Sequence, residues 1–570
     1  MSRRNHGGRK SSIFAGSLGP AVVKTAILVL AFTLTWYSGH RGLFLFDQSA
    51  GFDGAWRILQ GQVPYRDFYM AFPPIMLWIQ AAFFKVAGLN FSSMVLSAAV
   101  VNVLATASIM RITGNLVTGA SNFPVLLAGL VTAIWFQPPF GTLWMEQVAF
   151  LFACGALQCT LEAGRLTNRF SMLFWFLAGC CMTCAFLSKQ NAGAFFAPVC
   201  AGVIMIQNWR TGPRLPLSLA SFGAGALIAA AVFLVWLRLF SDPALFWRHA
   251  IEVAGGIGKE RVLMHLESLA EGVFLCLLTP RSAIPPSLLG MLIGPLVLIV
   301  GALNLDLKAG RMRRFAICGF LLLSLPLYQN LFIVSTMNEP QNGQPFLGLI
   351  VGLLLCVVLL LRQTSYSADI GSGTIRIPVR LPTPAAFATA AFMVLLVLSA
   401  WVVGEGVLVA RYRIVQEFGS TTRFVDRIQL PGLERVYWGD PTLIPTSNGL
   451  VTIRREDFEN VARYLQSRPG NFFVAGDATI LYGLLRKPSP SPLLFFAPNH
   501  SQTASDIPRL DNAILHSLET HNIQTVVKEQ FTFMSTQPVY SVFPQTWSFL
   551  TTRFEPVRQF GIFEIWERKQ

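Results

Sequence analysis

Long apolar stretches separated by short polar segments dominate the first 410 residues of the chain. A helix needs about 20 mostly apolar residues in a row to cross the hydrocarbon core of a membrane. Eleven stretches have that character, at approximately 20–38, 92–111, 120–137, 146–163, 170–187, 191–208, 215–240, 284–303, 314–335, 345–362 and 384–408. The pattern therefore predicts a polytopic α-helical membrane protein with about 11 transmembrane helices.

One further apolar run, from Pro73 to Gly88, is shorter than the others and contains Lys85. A run of about 15 residues is typical of a re-entrant or interfacial helix, because it falls short of the hydrocarbon thickness. We therefore predict that this run lies at the membrane surface. If it crossed the membrane instead, every later loop would change sides.

The remainder of the chain has a different pattern, in which amphipathic helices alternate with short β-prone segments. Arg454–Ser467 and Asp511–His521 have helical spacing, whereas Asn471–Ala475, Thr525–Lys528 and Phe560–Trp566 are predicted strands. This alternation is typical of a small α/β layer. It contains no nucleophile elbow, phosphate-binding loop or metal-ligand spacing, so the sequence predicts no catalytic residue there.

Composition and charge separate the same two parts. The residues AVILMFWYC make up 53% of the chain and charged residues only 13%, which excludes an ordinary soluble protein. Residues 1–410 hold 27 Lys/Arg and 14 Asp/Glu, whereas 411–570 hold 17 and 15. We therefore predict a transmembrane domain over 1–410 and a small α/β domain over 411–570. Because the excess positive charge lies in the membrane part, it does not indicate a nucleic acid partner.

The distribution of Lys and Arg among the loops predicts the orientation. With the N-terminus in the cytoplasm, the inner segments carry 16 Lys/Arg and three acids, and the outer segments before residue 410 carry 10 and eleven. Short loops rich in Lys and Arg stay inside. The sequence thus predicts a multi-pass protein of the cell inner membrane, with residues 411–570 in the periplasm after an odd number of spans.

Residues 39–91, here called the first loop, carry the clearest candidate chemistry. Asp47 lies where the first predicted span leaves the membrane, Asp53 follows it, and Gly54 to Leu59 predict a short amphipathic helix on the membrane surface. Ionisable groups at a membrane boundary are candidates for function. The residues alone leave an alternative open, in which both carboxylates are solvated loop acids with arginines nearby.

The first loop resembles the first periplasmic loop of GT-C glycosyltransferases, in particular bacterial relatives of the protein mannosyltransferases and lipid A aminoarabinose transferases. In those families an Asp-Glu pair precedes a short helix with Ala-Trp-Arg, then Pro-Tyr-Arg-Asp-Phe and a Pro-Pro that opens a second juxtamembrane helix. Here Asp47 stands nine residues before Trp56, Pro64–Phe68 and Pro73-Pro74 follow, and Gln48 replaces the Glu. The resemblance implies a GT-C-like fold and a sugar donor linked to polyprenyl phosphate.

The resemblance and the charge pattern together define a candidate site. Asp47, Asp53 and Glu146 are the predicted catalytic residues, because transfer requires a base to deprotonate the acceptor. The predicted substrate-binding residues share a positive charge that would stabilise the leaving phosphate. They are Lys189, Arg57, Arg66, Lys85, Arg248, Lys259 and Arg261.

Each of these predictions has an alternative that involves no substrate. Glu146 begins the fourth predicted span and equally suits an interfacial acid beside an aromatic belt. Lys189 interrupts two spans at their turn, where an ammonium requires an anionic partner or reaches water by snorkelling. The bases of residues 248–261 equally suit a salt-bridged surface helix.

No cofactor is predicted, and no metal ligand is assigned. A divalent cation held by Asp47 and Glu146 is the less favoured alternative, because Gln48 removes one ligand. The expected partners are a polyprenyl-phosphate-linked sugar donor, membrane lipids, and a lipid, glycan or protein acceptor.

Other functions remain open at this stage: a transporter or flippase for a lipid-linked glycan, a glycan polymerase or ligase, and a non-catalytic scaffold. A transporter would require polar residues deep in its spans and repeated halves. The predicted spans here are nearly free of charge at mid-depth, and polar residues gather on one side. That distribution favours transfer chemistry at the membrane surface.

Overall fold

The computed structural model describes residues 15–117, 122–138, 141–166, 169–208, 214–267, 291, 293–298, 310–336, 345–364, 423–440, 442–446, 449–494, 505–530 and 542–570. The predicted span 384–408, most of the predicted span 284–303, and the predicted domain boundary near residue 410 lie outside these residues.

Helices make up nearly all of the described membrane part. They are α1 (Ala15–Gly39), α2 (Asp47–Leu59), α3 (Ile75–Ala87), α4 (Phe91–Leu116), α5 (Phe123–Trp135), α6 (Met145–Ala163), α7 (Phe170–Phe186), α8 (Gln190–Asn208), α9 (Arg214–Phe240), α10 (Pro243–Phe246), a π-helix (Trp247–Val253), α11 (Ala254–Glu267), α12 (Gly310–Thr336) and α13 (Leu347–Thr364). Nine of the eleven predicted spans coincide with helices in this described part of the chain. The predicted polytopic helical fold class is confirmed.

Five described helices are long and apolar enough to cross a membrane, namely Gly19–Gly39, Phe91–Leu116, Gln190–Asn208, Arg214–Phe240 and Arg313–Thr336. Shorter apolar helices occupy Ile75–Ala87, Phe123–Trp135, Phe170–Phe186 and Leu347–Leu360. α3 has 13 residues, in keeping with the surface helix predicted there. α5 also has 13 residues, which is shorter than the span predicted at that place.

The C-terminal part folds as strands and helices. Its elements are β1 (Arg423–Arg427), β2 (Tyr437–Asp440), β3 (Thr442–Thr446), β4 (Gly449–Ile453), α14 (Arg455–Ser467), β5 (Asn471–Ala475), α15 (Ile480–Leu484), α16 (Ile507–Thr520), β6 (Ile523–Glu529), α17 (Pro544–Arg553), β7 (Phe554–Phe560) and β8 (Phe563–Arg568). β1 pairs with β2 and β3 with β4, whereas the main sheet has the order β5-β6-β8-β7. In it β5 and β6 are parallel, and β8 is antiparallel to both of its neighbours.

The strand predicted over Phe560–Trp566 is wrong as a single element. Gly561 has a φ of +54°, and the chain turns there from β7 into β8. Positive φ is accessible to glycine without steric cost, so this residue ends one strand and starts a hairpin return. The predicted segment therefore contains the end of one strand and the start of the next.

α2 is enclosed between the membrane part and the C-terminal part. Phe52 and Trp56 of α2 share a core with Phe84 of α3 and with Ile480 and Tyr482 of α15. The contact is close, because a Cβ added at Gly483 would lie 2.5 Å from Phe52 Cε1. The aromatic side chains of α2 are therefore buried by residues from both parts of the chain.

Backbone hydrogen bonds also join the first loop to the C-terminal part. Tyr69 N–H donates to Pro492 O at 2.8 Å, and Gly42 N–H donates to Tyr437 O at 2.8 Å. The two regions therefore lie on one side of the membrane part. Ten spans are predicted between them, and an even number of crossings agrees with this contact.

Candidate active site

Asp47 is the first residue of α2 and is partly buried. A carboxylate at this position faces the positive end of the helix dipole. Burial nevertheless raises the pKa of Asp47 well above its usual value, the nearby charges of Glu146 and Asp477 raise it further, and Lys189 opposes them. The structure thus surrounds Asp47 with two other acids and one base, which is an arrangement suited to a carboxyl that exchanges protons.

Glu146 and Lys189 form an ion pair beside Asp47. Lys189 Nζ lies 3.2 Å from Glu146 Oε1, and the two side chains are 20% and 5% exposed. Glu146 Oε2 is buried and has no hydrogen-bond partner among the described residues. The anionic partner that the sequence required for Lys189 is, in this structure, the carboxylate of Glu146.

Gln48, which stands where the resembled families have Glu, joins α2 to the segment before α6. Its Oε1 accepts from Phe44 N–H at 2.7 Å, and its Nε2 donates to Thr142 Oγ1 at 3.3 Å. An amide can both donate and accept in this way, whereas a carboxylate only accepts. Gln48 therefore holds the start of α2 in place.

Asp477 and Glu529 are acids of the C-terminal part that sequence reasoning missed. Asp477 lies two residues after the end of β5, and Glu529 ends the parallel neighbour β6. Glu529 is buried, and burial together with the charge of Asp477 raises its pKa from 4.5 to about 8. The sequence signal that could have identified Asp477 was its position in the Gly476-Asp477 turn after a buried strand.

Asp53 and Arg57 form a separate, fully buried ion pair. Arg57 Nη2 lies 2.8 Å from Asp53 Oδ2, and both side chains are 0% exposed. Arg57 also donates to the carbonyls of Ser491 and Leu493, and Ser489 Oγ donates to Asp53 Oδ2 at 3.3 Å. Burial raises the pKa of Asp53, whereas the Arg57 charge and the hydrogen bonds lower it. This geometry suits a link between α2 and the C-terminal part.

Four other predicted bases have partners other than Asp47 or are exposed. Arg66 pairs with its neighbour Asp67 at 2.7 Å, and Arg261 donates to Thr336 O at 2.8 Å. Lys85 and Lys259 are exposed and make no ion pair with a described residue. The structure therefore brings Lys189 to Asp47 and leaves these four side chains elsewhere.

Arg248 belongs to a polar cluster between the π-helix and α16. Its Nε lies 2.6 Å from Asp506 Oδ1, while Arg509 Nη2 donates to His249 Nε2 at 2.6 Å. The His249 ring stacks on Tyr69 of the first loop with a centroid distance of 4.9 Å. Burial and the Arg509 charge lower the pKa of His249 to about 4, so the ring is neutral near pH 7.

The sequence left a divalent cation at Asp47 and Glu146 as the less favoured alternative. No group of three or more His, Cys, Asp or Glu side chains in the described part of the chain is placed to hold an ion. The charge beside Asp47 and Glu146 comes instead from the Lys189 ammonium.

One family model matches part of the membrane part of the chain. Residues 72–236 match the family model described as dolichyl-phosphate-mannose-protein mannosyltransferase. The match includes Glu146 and Lys189 and begins after Asp47. The match agrees with the resemblance noted in the first loop, and over this segment the chain is similar to that glycosyltransferase family.

Solved structures similar to this chain include ArnT from Cupriavidus metallidurans bound to undecaprenyl phosphate, with 13% identity, a TM-score of 0.49, and coverage of 96% of this chain and 98% of that chain. The apo ArnT structure has 14% identity, the same coverage and the same TM-score. The archaeal oligosaccharyltransferase AglB from Archaeoglobus fulgidus, in complex with an inhibitory peptide and a dolichol-phosphate, has 10% identity, covers 91% and 70%, and has a TM-score of 0.43. No curated protein sequence matches the chain.

Proposed function

We propose that this protein transfers a sugar from a polyprenyl-phosphate donor to a lipid, glycan or protein acceptor at the outer face of the cytoplasmic membrane. The observation that carries the proposal is the ion pair of Lys189 and Glu146 beside Asp47. The matched family is described by a dolichyl-phosphate-linked sugar, which is a donor of this chemical class.

In this proposal Asp47 is the general base that removes the proton of the acceptor hydroxyl. Its raised pKa supports the role, because a carboxyl with higher proton affinity is a stronger base at neutral pH. The hydroxyl oxygen then attacks the anomeric carbon, and the bond from that carbon to the phosphate oxygen breaks.

Lys189 stabilises the phosphate that leaves. Its ammonium is largely buried, so its charge is less screened than that of a surface lysine. Glu146 balances that charge before the donor binds, and it holds the ammonium near Asp47. Asp53 and Arg57 fix α2, so that its first residue keeps its position.

The outer placement is supported by the excess of Lys and Arg in the predicted inner loops. The contact between the first loop and the described C-terminal strands supports a position of Asp47 and of these strands on the same side of the membrane. The periplasm and the inner membrane are the compartments that this topology gives in a bacterial cell.

An assay of the purified full chain with a panel of radiolabelled polyprenyl-phosphate sugars tests the proposal. We expect label to move from one donor into an acceptor fraction, and Asp47→Asn to abolish most of that transfer. Movement of intact donor across the membrane without transfer would instead show a flippase. Label that accumulates in a growing glycan chain would show a polymerase or ligase.

A further inference from the structure

A cavity of about 730 Å³ lies where the C-terminal end of α1 meets the turn between α3 and α4 and the C-terminal part of the chain. It is called the α1 cavity here, and the residues that line it include Trp36, Leu89, Asn90, Ser92, Arg435 and Arg486. Backbone hydrogen bonds join its walls, because Phe91 N–H donates to Gly432 O at 2.9 Å and Tyr437 N–H donates to His40 O at 2.8 Å. The cavity is therefore framed by fixed contacts between the two parts of the chain.

Two arginines of the C-terminal part give the α1 cavity a positive charge. Arg435 and Arg486 are exposed, and neither makes an ion pair or a side-chain hydrogen bond with another described residue. The acid among the described lining residues is Glu434, whose Oε2 accepts Gly432 N–H at 3.0 Å. Two arginines and one glutamate give the lining a net charge of +1, and both guanidinium groups are available to an anion.

The backbone of Arg486 lies in the left-handed region, with a φ of +53°. Glycine adopts this conformation without steric cost, whereas a residue with a Cβ is strained there. Arg486 directly follows the C-cap of α15, which is a place where glycine commonly ends a helix. Local folding therefore does not explain an arginine at this position, whereas a ligand bound through its side chain does.

The α1 cavity lies at the end of a helix that is long and apolar enough to cross a membrane, Gly19–Gly39. Trp36 is in the last turn of α1, and tryptophan is enriched at the membrane–water interface. Val22, Val29 and Trp36 recur every seven residues, so they lie on one face of α1. Val22 is 63% exposed and Val29 is 55% exposed. An exposed apolar face of α1 therefore leads along the helix to the cavity, which favours a ligand that has acyl chains.

We propose that the α1 cavity binds the phosphate of an anionic phospholipid through Arg435 and Arg486, while the acyl chains of the lipid lie on the exposed face of α1. Guanidinium groups form paired hydrogen bonds with phosphate oxygens. The Asn90 amide adds a further donor, because its Oδ1 accepts Ser93 N–H at 3.0 Å and its Nδ2 makes one bond, to Ala87 O at 3.3 Å. The second Nδ2 proton is left for the phosphate.

The proposed lipid site is separate from the candidate active site. The described residues that line the α1 cavity do not include Asp47, Glu146 or Lys189. A phospholipid bound there would contact α1, the turn before α4 and the C-terminal part together, and would stabilise their arrangement. The inference therefore goes beyond the proposed transfer function, and its test requires no sugar donor.

Native mass spectrometry of the full-length protein in detergent, titrated with phosphatidylglycerol, measures the binding. In the double variant Arg435→Gln/Arg486→Gln we expect the affinity for the first bound lipid to fall by about 10-fold or more, because charge-assisted contacts to the phosphate are lost. Arg435→Lys/Arg486→Lys keeps both charges and should bind more tightly than the glutamine variant. Arg558→Gln, which removes an exposed arginine of β7, is the matched control and should bind as the wild type does.

Equal affinity of the wild type and the glutamine variant for phosphatidylglycerol would overturn the proposal. The single exchanges Arg435→Gln and Arg486→Gln provide the same comparison if the double variant does not fold. Circular dichroism and thermal unfolding of each variant check that the fold is retained.

Competition against bound phosphatidylglycerol identifies the source of the phosphate. We expect inorganic phosphate, phosphatidylcholine and a polyprenyl phosphate each to displace it less effectively than unlabelled phosphatidylglycerol does. Inorganic phosphate that competes equally would show a site for free phosphate, and polyprenyl phosphate that competes better would show a site for the lipid carrier. Phosphatidylcholine that competes equally would show that the negative charge of the headgroup is not recognised. Each of these three results would overturn the assignment to an anionic phospholipid.

Discussion

The Lys189 ammonium lies 3.2 Å from the Glu146 carboxylate, so the turn after α7 is joined to the first turn of α6. Both residues fall within the matched segment 72–236, whereas the neighbouring Asp47 precedes it. The ion pair thus connects two predicted spans and lies at the edge of the candidate site. Lys189 carries the positive charge of this pair, and the first prediction concerns its removal.

Lys189→Ala should raise the Michaelis constant for the lipid donor. A charge-assisted contact to phosphate contributes about 1.5–3 kcal/mol, which corresponds to roughly 10- to 150-fold in affinity. Steady-state kinetics at matched protein levels measure the change. Lys569→Ala, at the edge of the C-terminal part, is the control and should leave the constant unchanged. Unchanged donor kinetics in Lys189→Ala would mean that Lys189 pairs with Glu146 and does not contact the donor.

Asp47→Asn should lower kcat by about 10²–10⁴-fold, the usual contribution of a general base. The substitution keeps the shape of the side chain, so the protein should insert and purify normally. Wild-type activity should fall as the pH decreases through the raised pKa of Asp47, because the base must be unprotonated. Near-wild-type transfer by Asp47→Asn, together with loss of transfer in Asp53→Asn, would assign the base to Asp53.

Asp53→Asn should act mainly on stability. It leaves the fully buried Arg57 charge without a counter-charge, and breaking such a pair costs about 3–5 kcal/mol. Thermal unfolding of the detergent-purified protein measures this loss. Asp67→Asn is the matched control, because its ion pair with Arg66 is partly exposed and such pairs contribute only about 0–1 kcal/mol. Equal melting temperatures for the two variants would contradict the structural role of Asp53.

The His249 cluster should make stability depend on pH. The folded protein holds the His249 pKa at about 4 against 6.5 for a free ring, so the unfolded chain binds more protons between these values. The stability that the neutral ring contributes is complete above pH 6.5 and is lost as the pH falls toward 4. Melting temperatures across this range measure the effect. His249→Gln should flatten the dependence, whereas His516→Gln, an exposed histidine of α16, should preserve it.

The topology prediction is tested by fusions to a phosphatase that is active only in the periplasm. A fusion after Gln570 should be active, because an odd number of spans places the C-terminal part outside. A fusion at Arg311, in a predicted inner loop, should be inactive. The reverse pattern would overturn the orientation and the proposed location of the site.

Apolar runs alone suffice to predict the helical membrane part, because the length of such a run is a local property and the thickness of the membrane sets the length required. It also located α14, β5, α16 and β6 from their periodicity. The first loop was recognisable for a similar reason, since Asp47, Trp56 and the prolines stand at short fixed spacings. The turn at Gly561 could not be predicted in this way, because it lies between two β-prone segments and does not interrupt the apolar pattern.

Which charged side chains meet depends on the packing of distant segments and could not be predicted from the sequence. Arg57 bonds to a carbonyl 434 positions away, and the charge of Asp477 acts on Asp47 across 430 positions of sequence. Periodicity carries no information about such pairs, because they depend on how α15 packs on α2. Hence Asp53 and Arg57, which the sequence grouped with Asp47 and Lys189 as site candidates, form a separate buried ion pair.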